Sequence, residues 1–129
     1  MADETRKQMA EKGLKIRREV LGDTYVDKAL GARTEFNREL QDLLNEYCWG
    51  QAWGRETLSR RDRSLMNLAM LAALGRPHEI VAHTRGALNN GLTPKEIAEA
   101  FLHVAVYAGV PAAVDAFRSA NPVIEEHGK

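Results

Sequence analysis

The stretch Ser59–Gly91, SRRDRSLMNLAMLAALGRPHEIVAHTRGALNNG, decides the fold. It reads as two helices joined by one tight turn. Ser59 and Asp62 have the spacing of a capping box, in which a hydroxyl and a carboxylate three residues on satisfy the unpaired N–H groups of a helix start. The helix opened there carries Leu65, Met66, Leu68, Ala69, Met70, Leu71, Ala72, Ala73 and Leu74, with Asn67 as the only interruption. A helix apolar nearly all round needs cover on every side, which a chain of 129 residues rarely arranges alone, so a homo-oligomer is expected. Pro77 suits the first position of the next helix, where its missing N–H would be unpaired anyway. Asn89-Asn90-Gly91 is a helix stop that uses the backbone freedom of glycine and asparagine.

Outward from this pair the pattern stays helical, with no strand alternation of useful length. An amphipathic helix is expected from about Glu4 to Val20, ended by Gly22. A second is expected from about Tyr25 to Tyr47, with Ala29, Ala32, Phe36, Leu40, Leu43, Leu44 and Tyr47 near one side. The segment from Glu46 to Gly54 breaks the period and holds Trp49 and Trp53 between glycines, as a loop or short helix with aromatic walls, or as a plug for the core. Thr93-Pro94-Lys95-Glu96 is a further capping box with proline in the first turn. Its helix carries Ile97, Ala100, Phe101, Val104, Ala105 and Ala108 and stops at Gly109-Val110-Pro111. A last helix is expected from Pro111 to about Ala120, ending before Pro122, with a frayed tail beyond. The expected architecture is all-α: a bundle of about six helices in one domain over residues 1–129, with its core at about 25–120 and an N-terminal helix at about 4–20.

Charge and cysteine count exclude several classes. Lysine plus arginine and aspartate plus glutamate both total 18, so no global field collects nucleic acid or a membrane surface. From Thr57 to Pro94, five arginines (Arg60, Arg61, Arg63, Arg76, Arg85) face only Asp62 and Glu79, and no lysine occurs between Lys28 and Lys95. Arginine's planar fork suits bidentate carboxylate recognition; surface arginines along helix edges are the plainer reading. The single Cys48 excludes an intrachain disulfide, a Cys-x-x-Cys pair and a cysteine zinc site. The polar N-terminus and the lack of any apolar run of membrane-spanning length lead us to expect a soluble, cytoplasmic protein.

Chemistry concentrates in Gly75-Arg76-Pro77-His78-Glu79, followed one turn later by His83. Glu79 and His83 lie four apart, on one helical face. An arginine beside the positive end of a helix looks misplaced unless an anion binds there, so the cluster reads as an anion pocket with an acid/base beside it. The plainer alternative is an Arg76–Glu79 surface pair and a satisfied core histidine at His83. His103 is expected in a hydrogen-bonded core or at a subunit contact, His78 as a helix-start residue and Cys48 as a small buried hydrophobe. No two-His-one-carboxylate metal set can be defended from the sequence.

With EYCWG at 46–50, RDRSLMNLAMLAALGR at 61–76, HEIVAHTRGALNNGLT at 78–93 and VAVYAGVPAAVDAF at 104–117, the chain resembles the carboxymuconolactone decarboxylase family over roughly residues 14–121. The resemblance implies the all-helical, oligomeric AhpD-like (alkylhydroperoxidase D-like) fold and a ring-like trimer or hexamer. In the redox relatives of that superfamily, a Cys-x-x-Cys pair precedes a histidine by seven and four residues. Counting back from His83 lands on Arg76 and Glu79, and a glutamate of the preceding helix is replaced by Ser64. The histidine and the fold therefore carry over, while thiol chemistry does not.

The resemblance further implies a small carboxylated lactone, 4-carboxymuconolactone, as substrate and loss of carbon dioxide to give 3-oxoadipate enol-lactone. The substrate carries its own electron sink, so no pyridoxal, thiamine or metal is expected. On this reading His83 protonates the ring carbon and Glu79 orients its imidazole or relays the proton. Arg76 binds a substrate carboxylate, and Trp49 and Tyr107 wall off the leaving carboxylate, with the tyrosine hydroxyl as a donor to the lactone oxygen. The competing readings are a related decarboxylase acting on another carboxylated lactone or beta-keto acid, a thiol-dependent peroxidase partner and a non-catalytic oligomeric binding module.

Overall fold

The computed structural model describes residues 3–129, which form α1 (Asp3–Leu21), α2 (Asp23–Gly31), α3 (Arg38–Leu43) running into a π-helical segment (Leu44–Ala52), α4 (Arg60–Leu74), α5 (Pro77–Asn89), α6 (Pro94–Tyr107) and α7 (Val110–His127). No strand occurs among the described residues, and none of these helices is long and apolar enough to cross a membrane. The chain divides into two compact units, one ending at Ser59 and the other beginning at Arg60.

In the first unit, α1 buries Gly13, Ile16, Arg17, Val20 and Leu21, a stripe at helical spacing. That stripe lies along the π-helical segment. The approach is so close that a Cβ on Gly13 would collide with the Asn45 carbonyl oxygen, and one on Gly50 would stand 2.6 Å from the Met9 carbonyl oxygen. Ile16, Val20, Leu21, Val26, Trp49 and Trp53 form the core.

Two expectations change here. The long helix expected from Tyr25 to Tyr47 is broken between Gly31 and Arg38, because short polar side chains take over the backbone groups there. The Thr34 N–H donates to Asn37 Oδ1 at 2.8 Å, the Asn37 N–H to Thr34 Oγ1 at 3.3 Å, and Asn37 Nδ2 to the Ala32 carbonyl at 3.2 Å. Phe36, expected on the apolar side, is 99% exposed in this turn. Conversely, the aperiodic segment after Glu46 is helical but π-wound, as the bond from the Trp53 N–H to the Cys48 carbonyl at 3.0 Å shows.

The second unit is built from regular parts. Leu68, Ala72, Ile80, Ala87, Leu92, Ile97, Phe101, Val104, Ala116 and Ala120 make one aliphatic core with a single aromatic ring at its centre. Gly75 and Gly91 take φ of 72° and 96°, the left-handed conformation that ends α4 and α5. After each, the backbone closes the paired Schellman bonds: Gly75 N–H to Ala72 and Arg76 N–H to Leu71, then Gly91 N–H to Leu88 and Leu92 N–H to Ala87. Thr93 and Glu96 form the expected capping box in both directions.

The last helix does not stop before Pro122 but runs to His127. Ala113, Ala116, Ala120 and Val123 form one buried stripe, and Val123 keeps the backbone helical past a proline whose ring is exposed. Burial here outweighs one missing backbone hydrogen bond. α4 is covered on one side only within the chain: Ser64, Leu68 and Ala72 are buried, whereas Met66, Met70 and Leu74 are exposed.

Candidate active site

Pro77 opens α5 at its first turn, and the apolar positions Ile80, Ala87 and Ala82 turn one face of this helix inward. His83 and Thr84 lie on that face. His83 is 8% exposed, and its Nε2 stands 3.9 Å from Oε2 of Glu79, whose own side chain is mostly exposed. At that separation the pair is not hydrogen-bonded, and it becomes an ion pair only when the imidazole is protonated. Burial pushes the His83 pKa down to about 4, because desolvation disfavours the charged ring. At neutral pH the free protein therefore holds a neutral imidazole, with one N–H donor and one acceptor nitrogen, against an exposed carboxylate.

Arg76 is the residue before α5, with φ −116° and ψ 76°. Its Nη1 donates to the Leu74 carbonyl at 2.9 Å, so the guanidinium turns back onto the C-terminal end of α4, where the helix dipole favours a cation. That contact removes the apparent misplacement without an anion, and it is made in place of the alternative Arg76–Glu79 surface pair. Arg76 also lines a cavity of about 300 Å³ with Pro77, Ile80, Asp115, Arg118 and Ser119. Arg118, paired with Asp115 at 3.3 Å, brings a second guanidinium to this cavity. Sequence reasoning missed it, since nothing local marks an exposed arginine on α7 as a neighbour of Arg76.

Neither Glu79 nor His83 lines that cavity, and the remaining candidates lie elsewhere again. Tyr107 is 80% exposed at the end of α6, with its ring on that of His103 at a centroid separation of 4.7 Å. The structure thus joins Tyr107 to His103, not to Glu79 and His83. His103 is itself exposed, which removes the core half of its expected role and leaves the subunit contact, and it lines a groove of about 570 Å³ with Leu65, Ala69, Glu99, Leu102 and Val106. Four-residue spacing on a helix facing outward explains both placements. Trp49 is buried in the first unit, stacked on Trp53 with ring centroids 4.9 Å apart and planes at 28°. Cys48 is half-buried beside it, and His78 stands exposed in the first turn of α5.

Ser64 is fully buried and accepts a hydrogen bond from Asn90 Nδ2 at 2.9 Å. It ties α4 to the end of α5. Among the described residues, no group of three or more histidine, cysteine, aspartate or glutamate side chains is placed to hold a metal ion. A second residue missed in the sequence is Arg17, buried on the inner stripe of α1. Its signal was there to read: a charged residue in register with Gly13, Ile16 and Val20.

Comparison with known proteins bears on what these residues do. The pattern of the Carboxymuconolactone decarboxylase family matches residues 38–122. The chain is 44% identical over 114 residues to a nitrosuccinic acid decarboxylase of Metarhizium robertsii, covering 88% of this chain and 80% of that one. It is 40% identical over 121 residues to a 4-carboxymuconolactone decarboxylase of Acinetobacter baylyi, covering 94% and 90%. A sequence for the same activity from Pseudomonas putida is 39% identical over 44 residues, which is 34% of this chain and 92% of that sequence.

Proposed function

The chain belongs to the carboxymuconolactone decarboxylase family, and we propose that it converts 4-carboxymuconolactone to 3-oxoadipate enol-lactone and carbon dioxide. The observation that carries this reading is the 40% identity over 94% of the chain to a decarboxylase of that substrate. The bond from the ring carbon to its carboxylate breaks, and its electron pair moves through the ring alkene into the lactone carbonyl. A proton then reaches a different ring carbon, the one next to the lactone carbonyl, which leaves the enol-lactone double bond at the carbon that lost its carboxylate. The substrate holds the electrons itself, so the protein's tasks are to bind the carboxymethyl arm, desolvate the departing carboxylate, stabilise the dienolate and deliver a proton.

His83 serves the last two tasks. It is neutral in the free protein, and nearby negative charge raises a histidine pKa. The substrate carboxylates act in that direction and Glu79 orients the ring, so the imidazolium that protonates the carbon next to the lactone carbonyl forms in the complex. A donor aimed at the developing oxyanion contributes about 3 kcal/mol. Arg76 binds a substrate carboxylate, and Trp49 supplies dry wall. Tyr107 serves this role only if a second copy of the chain brings it to the site. Exposed Met66, Met70 and Leu74 support a homo-oligomer, read here as a trimer or hexamer acting in the cytoplasm without a cofactor. The family match extends across both units, which supports one functional domain.

A second reading is favoured by the 44% identity to the nitrosuccinic acid decarboxylase. Nitrosuccinic acid, like the lactone, bears a carboxylate beside a group that accepts an electron pair, here the nitro group, and keeps a second carboxylate. Either acid suits a site that clamps one carboxylate and desolvates the other.

The test is a coupled assay. 4-Carboxymuconolactone is generated enzymatically from 3-carboxy-cis,cis-muconate, and carbon dioxide and enol-lactone are followed by mass spectrometry in parallel with nitrosuccinic acid. Stoichiometric release from the lactone is expected, with turnover of His83→Ala lower by roughly 100- to 10,000-fold and KM changed far less. A lactone that persists beyond its spontaneous decay overturns the assignment, and turnover of nitrosuccinic acid alone establishes the second reading.

A further inference from the structure

Arg17 is 4% exposed, and its Nη1 donates to Gln41 Oε1 at 3.0 Å and to Asn45 Oδ1 at 3.2 Å. Gln41 belongs to α3 and Asn45 to the π-helical segment. One guanidinium nitrogen therefore spans the junction at Leu43 and Leu44, where α winding gives way to π winding. That winding is rare because its bonds are less favourable than those of an α-helix, and it recurs at functional sites. Something outside the segment has to hold it. Two features of α1 do so: the backbone contact at Gly13 and Gly50, and the Arg17 bridge. One turn past Asn45, the segment presents Trp49, stacked on Trp53. Both α1 and α2 lie outside the span that the family pattern matches.

We propose that Arg17 is a positioning residue for the decarboxylation: its bridge to Gln41 and Asn45 fixes the α-to-π register and, through it, the orientation of the Trp49 indole. The inference rests on the reading of Trp49 as part of the substrate wall. Arginine suits the task because its planar guanidinium holds the two N–H groups of that one nitrogen in fixed directions, whereas lysine offers a point charge on a flexible stem.

Stacked indoles give an exciton couplet in circular dichroism, which reads the Trp49–Trp53 geometry directly. Arg17→Lys and Asn45→Leu are compared with the unmodified protein at temperatures where denaturation curves show each to be fully folded. The expected result is a weakened couplet in both, with kcat on 4-carboxymuconolactone lower by on the order of tenfold to a hundredfold and KM changed less. If Arg17→Lys fails to fold, Asn45→Leu, which keeps the buried arginine and the Gln41 contact, carries the comparison. An unchanged couplet and kcat overturn the bridge. Trp49→Phe separates the two layers: full kcat in that variant overturns the wall reading and the catalytic half of the inference, whereas impaired Trp49→Phe beside unimpaired Arg17→Lys overturns the bridge alone.

Discussion

The two units of this chain reach helical structure by opposite means. From Arg60 onward α6 starts at a capping box, α4, α5 and α6 end at left-handed glycines, and the helices bury aliphatic stripes at regular spacing. Before Ser59 the backbone is irregular: a polar turn splits one helix, a π-wound stretch follows, and two glycines let main chains touch. The second unit is specified by signals within a few residues of each boundary, whereas the first adds to its local polar turn contacts between residues far apart in the chain. The comparison separates a region where filling space matters most from one where leaving space empty does.

Removing atoms should be most damaging in the second unit. Phe101 is almost wholly buried at the centre of that core, so Phe101→Ala is expected to cost about 3–5 kcal/mol, measured as the shift in urea unfolding followed by circular dichroism. A loss under about 1 kcal/mol would show a core that collapses around the gap.

The next effect is a buried charge that the second unit refuses. The His83 pKa is held at about 4 in the fold against 6.5 when exposed, so the unfolded chain binds the proton more tightly. This contribution is intact above the unfolded pKa and is lost as pH falls through the window toward the folded value, roughly 3 kcal/mol in all. Urea midpoints of the protein and of His83→Gln, compared across that window, should show the unmodified protein losing more stability as pH falls. Parallel curves would place the histidine in a more polar setting.

In the first unit the sensitive change is an addition. Gly13→Ala puts one methyl group against the Asn45 carbonyl and is expected to cost about 1–3 kcal/mol. Tryptophan fluorescence reads it locally, because both tryptophans belong to this unit. A neutral result would mean that α1 can slide away from the π-helical segment, and the contrast between the units would narrow. The smallest effect returns to local signals: Thr93→Ala removes the side-chain half of the α6 cap and should cost about 1 kcal/mol, seen as a lower thermal midpoint.

Legibility in the sequence follows the same division. The boundaries of α5 and α6 could be read because Pro77, Gly91, Thr93 and Gly109 act on their own neighbours. The break after Gly31 was missed because Ala29, Ala32 and Phe36 mimic a helical stripe, while the Thr34–Asn37 turn that defeats it depends on side chains bonding to the backbone. Pro122 was given too much weight, since the burial of Val123 on the far side is a property of the packed unit.

At the site, the Glu79–His83 pair was legible because four-residue spacing suffices to bring the two together. The surroundings of Arg76 were not: the Leu74 carbonyl becomes available only where α4 ends, and Arg118 reaches the same cavity from a helix more than thirty residues away. The π winding left no mark in the pattern beyond a lost period, and a lost period looks the same in a loop.

The turns between the last four helices have a kinetic consequence. Two residues join α4 to α5, four join α5 to α6 and two join α6 to α7, so each helix meets its neighbour after closing almost no chain. Loop closure over so few residues carries little entropic penalty, and helical arrays rich in such nearby contacts form on the microsecond-to-millisecond scale. The first unit has to bring α1 onto a segment more than twenty residues further along before its glycines can touch. The half of the chain joined by short turns is thus set to assemble by a short local search, and the irregular half by a longer one.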